Sequence, residues 1–214
     1  MIMQALQGLE NTNSSVRLKA VMAIGTAPDP GYVDSLIERC AVEPDFYVRD
    51  MLTWAITRHP VTATVPRLVG ALRSANPQAR SQALHTLSKL GDRSAWPAIT
   101  RELLTDADDG VARTAWRTAV ALVPEDEKPQ LAEVLASQLG RGDRATRLSL
   151  SRALTGLGET IVPVLEAAMR SAEPPVVQHA IATRRLLHDP EAGFELAVEE
   201  AKRIVALGPD AREQ

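Results

Sequence analysis

An arginine that follows a small or β-branched residue returns along this chain at nearly constant spacing, and that periodicity constrains the fold more than any other feature. The segments "NSSVRLKAVMAIG", "PDFYVRDMLTWAI", "NPQARSQALHTLSKLG", "DGVARTAWRTAVALV" and "GDRATRLSLSRALTGLG" align on Arg17, Arg49, Arg80, Arg113 and Arg147, at intervals of 32, 31, 33 and 34 residues. A sixth copy, "EPPVVQHAIATRRLL", puts Gln178 in that place after a further 31. A fixed period of this length marks a stack of similar supersecondary units.

Other columns keep the same register. Four residues before the anchor stand Asn13, Asp45, Asn76, Asp109 and Asp143, residue types whose side chains accept hydrogen bonds from the free N–H groups at a helix start. Sixteen or seventeen residues after it come Pro66, Pro97, Pro129 and Pro163, placed to open a second helix because a first-turn N–H needs no intrahelical partner. Breakers lie between the two helices, at Gly25, Pro60, Gly91, Pro124 and Gly156. Each unit is therefore a helical hairpin. The units run over 1–10 (partial), 11–43, 44–75, 76–107, 108–141, 142–172 and 173–208, with a loose tail at 209–214.

The recurring "VR", with Asp or Asn upstream and Gly downstream, resembles the HEAT-like repeats of phycobilin lyases, and the resemblance covers nearly the whole chain. It implies an all-α fold, a right-handed α-solenoid of about six HEAT-like hairpins whose concave face is lined by the arginine-bearing helices. Stacked units bury their apolar faces only against neighbours, so the array is expected to act as one domain.

Composition agrees with packed helices. Aromatic residues make up 3% of the 214 residues, so short aliphatic side chains must fill a core between closely spaced elements. A formal net charge of -3 argues against a strongly basic nucleic-acid binder. The single cysteine, Cys40, excludes an internal disulfide and reads as a small buried thiol. The opening "MIMQALQGLENTNSS" has too short an apolar run and too little positive charge for a signal peptide, and no stretch approaches ~18 apolar residues. The expected location is the cytoplasm, with no membrane contact.

At 100° per residue, the positions one before and three, six and seven after the anchor share one sector of the first helix. They read Val16, Val48, Ala79, Ala112, Thr146, Val177; Ala20, Leu52, Ala83, Trp116, Leu150, Ile181; Ala23, Ala55, Thr86, Ala119, Ala153; and Ile24, Ile56, Leu87, Val120, Leu154. This is the expected core stripe. The opposite sector holds Ser15, Lys19, Gln78, Ser81, Gln82, His85, Thr114, Ser149, Arg152 and Thr183, a mixture costly to bury without partners. In the second repeat those columns carry Tyr47, Asp50, Met51 and Trp54, which gathers an aromatic cluster on the expected free face. Phe46 falls to the side of its helix, where it would wedge against an adjacent repeat. Arg184 and Arg185 take core positions in the sixth copy and mark it as terminal; Phe194, Val198, Ala201 and Val205 of the last helix would close the stack.

A serine-hydrolase elbow, a phosphate-binding glycine loop and a paired-histidine metal motif are absent. His59, His85, His179 and His188 are scattered. "DADDG" at 106–110 looks like a calcium loop, but its glycine comes early and Arg117 stands where a bidentate Glu is needed. "RGD" at 141–143 is explained by Asp143 in the helix-cap column. The anchor arginines are expected to tie units together by reaching cap carboxylates such as Asp45, Asp109 and Asp143, while Arg117, Arg144 and Arg152 would make the C-terminal half of the concave face modestly positive.

These residues point to a non-catalytic binding or scaffold module for a protein or peptide. Its contact residues are Tyr47, Asp50, Met51 and Trp54, extended by Gln82, His85 and Arg152, with no catalytic residue, metal or cofactor assigned. Met and aromatic side chains are what binding hot spots favour. Trp54→Ala should then leave stability nearly unchanged. One alternative is a nucleic-acid binder similar in residue types to the HEAT-like alkylpurine DNA glycosylases, with Trp54, Asp50 and Arg152 in the corresponding roles. Another is a small aromatic ligand held between Trp54 and His85, in one column of adjacent units and about 10 Å apart by helix packing.

Overall fold

A computed structural model describes residues 2–190 and 193–207; the expected tail at 209–214 lies outside them. The chain divides into two compact units, Met1–Thr100 and Arg101–Gln214. Among the described residues every regular element is helical.

Unit 1 contains α1 (Ile2–Leu9), α2 (Ser14–Thr26), α3 (Val33–Val42), α4 (Phe46–Thr57), α5 (Val61–Ala71) and α6 (Pro77–Leu90). The anchor helices α2, α4 and α6 lie side by side, α1 packs on α2, and α3 and α5 pack against α4 and α6 as a second layer. Unit 2 repeats the plan with α7 (Arg101–Leu104), α8 (Asp109–Leu122), α9 (Lys128–Ala136), α10 (Arg144–Thr155), α11 (Val162–Met169) and α12 (Pro174–His188). There α8, α10 and α12 adjoin in turn, α7, α9 and α11 form the second layer, and α13 (Phe194–Leu207) packs along α12. Phe194, Ala197 and Ala201 bury themselves on Ala182, with Val198 partly buried beside them.

The caps explain where the anchor helices begin. Asn13, Asp45, Asn76 and Asp143 accept from the N–H groups of Ser15, Tyr47, Gln78 and Thr146 at 2.8–2.9 Å. In the fourth unit the cap is Asp108, one residue earlier than the column predicts; it accepts from Val111 N–H at 3.0 Å. Asp109 is freed for another task, a 2.7 Å ion pair with Arg141 at the far end of the same repeat.

The anchor arginines do something other than reach cap carboxylates. Each of the first three bends back to the loop that precedes its own helix. Arg17 Nη1 donates to the carbonyls of Asn11 and Thr12 at 2.8 and 3.0 Å, Arg49 Nη1 to those of Glu43 and Pro44 at 2.7 and 2.8 Å, and Arg80 Nη1 to those of Ser74 and Ala75 at 2.9 and 3.2 Å. In every case the acceptors lie six and five residues upstream. A guanidinium satisfies two loop carbonyls at once and fixes the entry angle of the helix. The cap carboxylates are already occupied by their own backbone N–H groups; the expected link survives as the electrostatic attraction of Arg17 for Asp45 and of Arg113 for Asp143.

Three breakers behave differently from one another. Gly91 ends α6 in the left-handed region, φ 65°, where glycine is at ease. Gly156 caps α10 at φ −64°, an ordinary helical value. Gly25 is no breaker at all, since it lies inside α2 and is buried. Of the prolines, Pro129 and Pro163 open α9 and α11 as expected, whereas Pro66 sits inside α5 and Pro97 inside a 3-10 turn before α7.

Most of the expected stripe is buried, including Val48, Leu52, Ala55, Ile56, Ala83, Leu87, Ala112, Trp116, Ala119, Leu150 and Leu154. The first unit departs from it. Val16 is 39% exposed and Ala23 is exposed, while Arg17, Val21 and Gly25 turn inward. Among the described residues α1 and α4 are the helices that pack closely on α2, so its remaining sides stay open. The expected free sector also closes in two places, because Thr114 and Thr183 are buried. Their hydroxyls donate to the carbonyls of Gly110 and His179, each one turn back, at 2.8 Å. That internal bond removes the cost of burying them.

Candidate protein-binding surface

The helix α4 begins at the Asp45 cap and presents Tyr47, Asp50, Met51 and Trp54 along one face, at the three- and four-residue spacing of successive turns. Tyr47 is 74% exposed and Trp54 36%, with Asp50 exposed and Met51 half-buried. Phe46 is not wedged against a neighbour. It is 67% exposed and meets Tyr47 edge-to-face at 5.8 Å, with the Arg49 guanidinium 6.0 Å above its ring. Both contacts hold the two rings in place without hiding them.

Trp54 is neither wholly core nor wholly surface. A Cβ placed on Gly25 would fall 2.2 Å from its six-membered ring, so the indole rests on α2 at the one residue with no side chain there. Gly25 serves close approach, and a stable platform results with part of the ring open to solvent. The opposite neighbour, α6, carries the other two residues expected in unit 1, Gln82 and His85, both half-buried. Arg152, also expected, is exposed on α10 of unit 2.

One contributor was missed. Met22 is 48% exposed and stands five residues after Arg17, in the column that carries Trp54 after Arg49; that register was readable from the repeat. Among the described residues, the large apolar side chains that remain exposed are Val16, Met22, Val42, Phe46, Tyr47, Trp54 and Val61, and every one belongs to unit 1.

Beneath this face lies a buried ion network that holds α2, α3 and the start of α4 together. Glu43 is buried and takes Arg17 Nη2 at 2.6 Å, Arg39 Nε at 2.9 Å and the Asp45 N–H at 2.9 Å. Burial by itself would raise its carboxyl, but the hydrogen bonds from Arg17, Asp45 and Arg39 outweigh that and hold it down at about 2. Gln78, expected on the free face, instead donates to the Cys40 and Glu43 carbonyls at 2.9 Å and closes the end of α3. Cys40 is buried, and desolvation pushes its thiol up to about 12, which leaves it unreactive as a nucleophile.

Unit 2 has a neutral counterpart. Gly140 N–H donates to His179 Nδ1 at 3.0 Å, so the ring proton sits on Nε2, which faces the Arg147 carbonyl and Ser151 Oγ, both at 3.0 Å. Ser151 Oγ lies 2.8 Å from Thr183 Oγ1, whose own proton goes to the His179 carbonyl. Burial lowers His179 to about 4. Ser151 and His179 form a Ser–His pair in distance alone. Both are enclosed, and every polar atom serves its neighbour, so the group is a clasp between α10 and α12.

The fold is a run of helical hairpins, and the large apolar side chains exposed among the described residues all lie on unit 1. Residues 33–121, from α3 through most of α8, match the family model described as HEAT repeats. No curated protein sequence matches the chain. Among solved structures, a chain of the complex of CpcE and CpcF of phycocyanin lyase from Nostoc sp. PCC7120 is similar at TM-score 0.50 and 17% identity, over 99% of this chain and 91% of that one. Kap121p bound to Ste12p is similar at TM-score 0.58 and 17% identity, over 92% of this chain and 24% of Kap121p. Kap121p alone is similar at TM-score 0.58 and 19% identity, over 86% and 22%. The chain thus spans about a quarter of the length of Kap121p. At these identities the likeness concerns the fold, an all-α solenoid of HEAT-like hairpins. Among the described residues no helix is long and apolar enough to cross a membrane.

Proposed function

We propose that this chain is a binding module that captures a protein or peptide partner on the α4 face of unit 1. Tyr47 and Trp54 serve as apolar anchors, Met22 and Met51 as adaptable neighbours, and Asp50 as a polar contact. The observation that carries this reading is the confinement of the exposed large apolar side chains to one unit, with two rings braced edge-to-face and a third resting on Gly25. Ordered aromatic side chains lose little conformational freedom on binding, which is why they dominate interface energetics. Solved structures of similar fold include assemblies with other proteins, CpcE with CpcF and Kap121p with Ste12p, in keeping with such a role.

The test is affinity capture from extract of the native cell, comparing the wild-type chain with Tyr47→Ala and with a control at Gln130, exposed on α9. A partner recovered by the wild type and the Gln130→Ala control but lost by Tyr47→Ala is the expected result. Equal recovery by all three would sink the assignment of this face.

A further inference from the structure

Unit 2 exposes charge where unit 1 exposes rings. Helix α10 carries Arg144, Arg147 and Arg152 and no acidic residue. Beside it, α8 carries Arg113 and Arg117 with one acid, Asp109, which Arg141 holds at 2.7 Å. Of the nearby carboxylates, Asp108 caps α8, and Asp143 caps α10 and attracts Arg113.

The packing sets the height of these side chains. A Cβ on Gly156 would meet Val120 Cγ1 at 2.9 Å, so those residues face each other across the α8–α10 contact. Arg117 stands one turn before Val120 and Arg152 one turn before Gly156. The two arginines are therefore level on adjacent helices, and both are exposed. Among the described residues neither has an acidic partner within ion-pair distance.

We propose that Arg117 and Arg152 form a docking surface for an extended acidic segment of a partner protein, separate from the α4 face. A guanidinium fork pairs with a carboxylate through two parallel hydrogen bonds. Adjacent helix axes lie about 8–10 Å apart, and an extended chain in the polyproline II form advances about 3.1 Å per residue with three residues per turn, so acidic residues three apart in the partner share one side and reach both arginines. Nucleic acid fits less well, since single strands are held by stacking as well as charge. The Trp116 and Phe194 rings of unit 2 are both buried.

The test uses the full chain and a fluorescein-labelled peptide with glutamate at every third position among serine and glycine, followed by fluorescence anisotropy at low ionic strength. Expected results are binding that weakens with added salt and a roughly tenfold loss of affinity in Arg117→Gln/Arg152→Gln. The charge-matched control Arg101→Gln/Arg170→Gln, which changes two exposed arginines outside the anchor helices, should bind as the wild type does. Equal loss in both double variants would reduce the effect to net charge and overturn the proposal. So would absence of binding by the wild type, or tighter binding of a single-stranded oligonucleotide of equal length. Partner capture through Tyr47 is read in a separate assay, so either surface can fail alone.

Discussion

A tryptophan stands on the anchor helix of the second repeat and another on that of the fourth, and their environments are opposite. Trp116, three residues after its arginine, is fully buried in unit 2 and donates its indole N–H to the Leu104 carbonyl at 2.8 Å. Trp54, five residues after its arginine, lies 200° further round the helix and keeps part of its ring in solvent above Gly25. Two residues of register separate a core side chain from a candidate anchor. The same contrast extends to the units that hold them: unit 1 exposes apolar rings over a charged buried network, whereas unit 2 exposes arginines over a neutral one.

The largest expected effect falls on the buried member of the pair. Trp116→Ala should cost about 3–5 kcal/mol, because it leaves a cavity and strands the Leu104 carbonyl. Urea unfolding measures it, and a loss below about 1 kcal/mol would mean that the site collapses without strain or that Trp116 is not core.

Acid should then separate the two buried networks. His179 has its folded value lowered to about 4 from an ordinary value near 6.5, so its contribution is complete above about 6.5 and is lost as pH falls through 4. Glu43, held at about 2, keeps its contribution until pH drops below about 4.5 and loses it toward 2. Between about pH 7.5 and 5, unit 2 should lose about 2 kcal/mol while unit 1 is little changed. Hydrogen exchange resolved by peptide would show it, and His179→Gln should remove the difference. Uniform loss across both units would refute the assignment.

Gly25→Ala sharpens the reading of Trp54. The new methyl would collide with the indole and should cost about 1–3 kcal/mol, with a red shift in tryptophan emission as the ring leaves its seat. Gly70 in α5 provides the contrast, since a Cβ there meets nothing within 4 Å; alanine should stabilise by about 0.5–1 kcal/mol. The seat on Gly25 also revises the expectation for Trp54→Ala, which should be moderately destabilising instead of silent.

The smallest effect is expected at Tyr47. Its ring touches Phe46 and otherwise faces solvent, so Tyr47→Ala should change stability by less than about 0.5 kcal/mol. A thermal melt checks this, and it makes Tyr47 a cleaner probe of partner capture than Trp54.

Much of this was readable in the sequence. Four of the five caps fall in the column that the repeat assigns, as do nearly all core positions from the second unit to the fifth. These depend on local rules: a side-chain acceptor at a helix start, and apolar residues at helical spacing. The face of Tyr47, Asp50, Met51 and Trp54 could be derived for the same reason, and Met22 could have been added from its column. The fates of Thr114 and Thr183 were not legible, because a hydroxyl that bonds one turn back can occupy either face. Nor was Phe46, whose exposure depends on what the neighbouring helix brings beside it.

By itself, then, the sequence determined the repeat, the caps and which side of each anchor helix is apolar, since these are set within a few residues of chain. The folded structure alone decided that Arg17, Arg49 and Arg80 clasp their own loops. It decided that Glu43 is buried among Arg17, Arg39 and the Asp45 N–H, and that Trp54 rests on Gly25. The last two turn on which atoms from distant segments come together, and spacing along the chain carries no record of that.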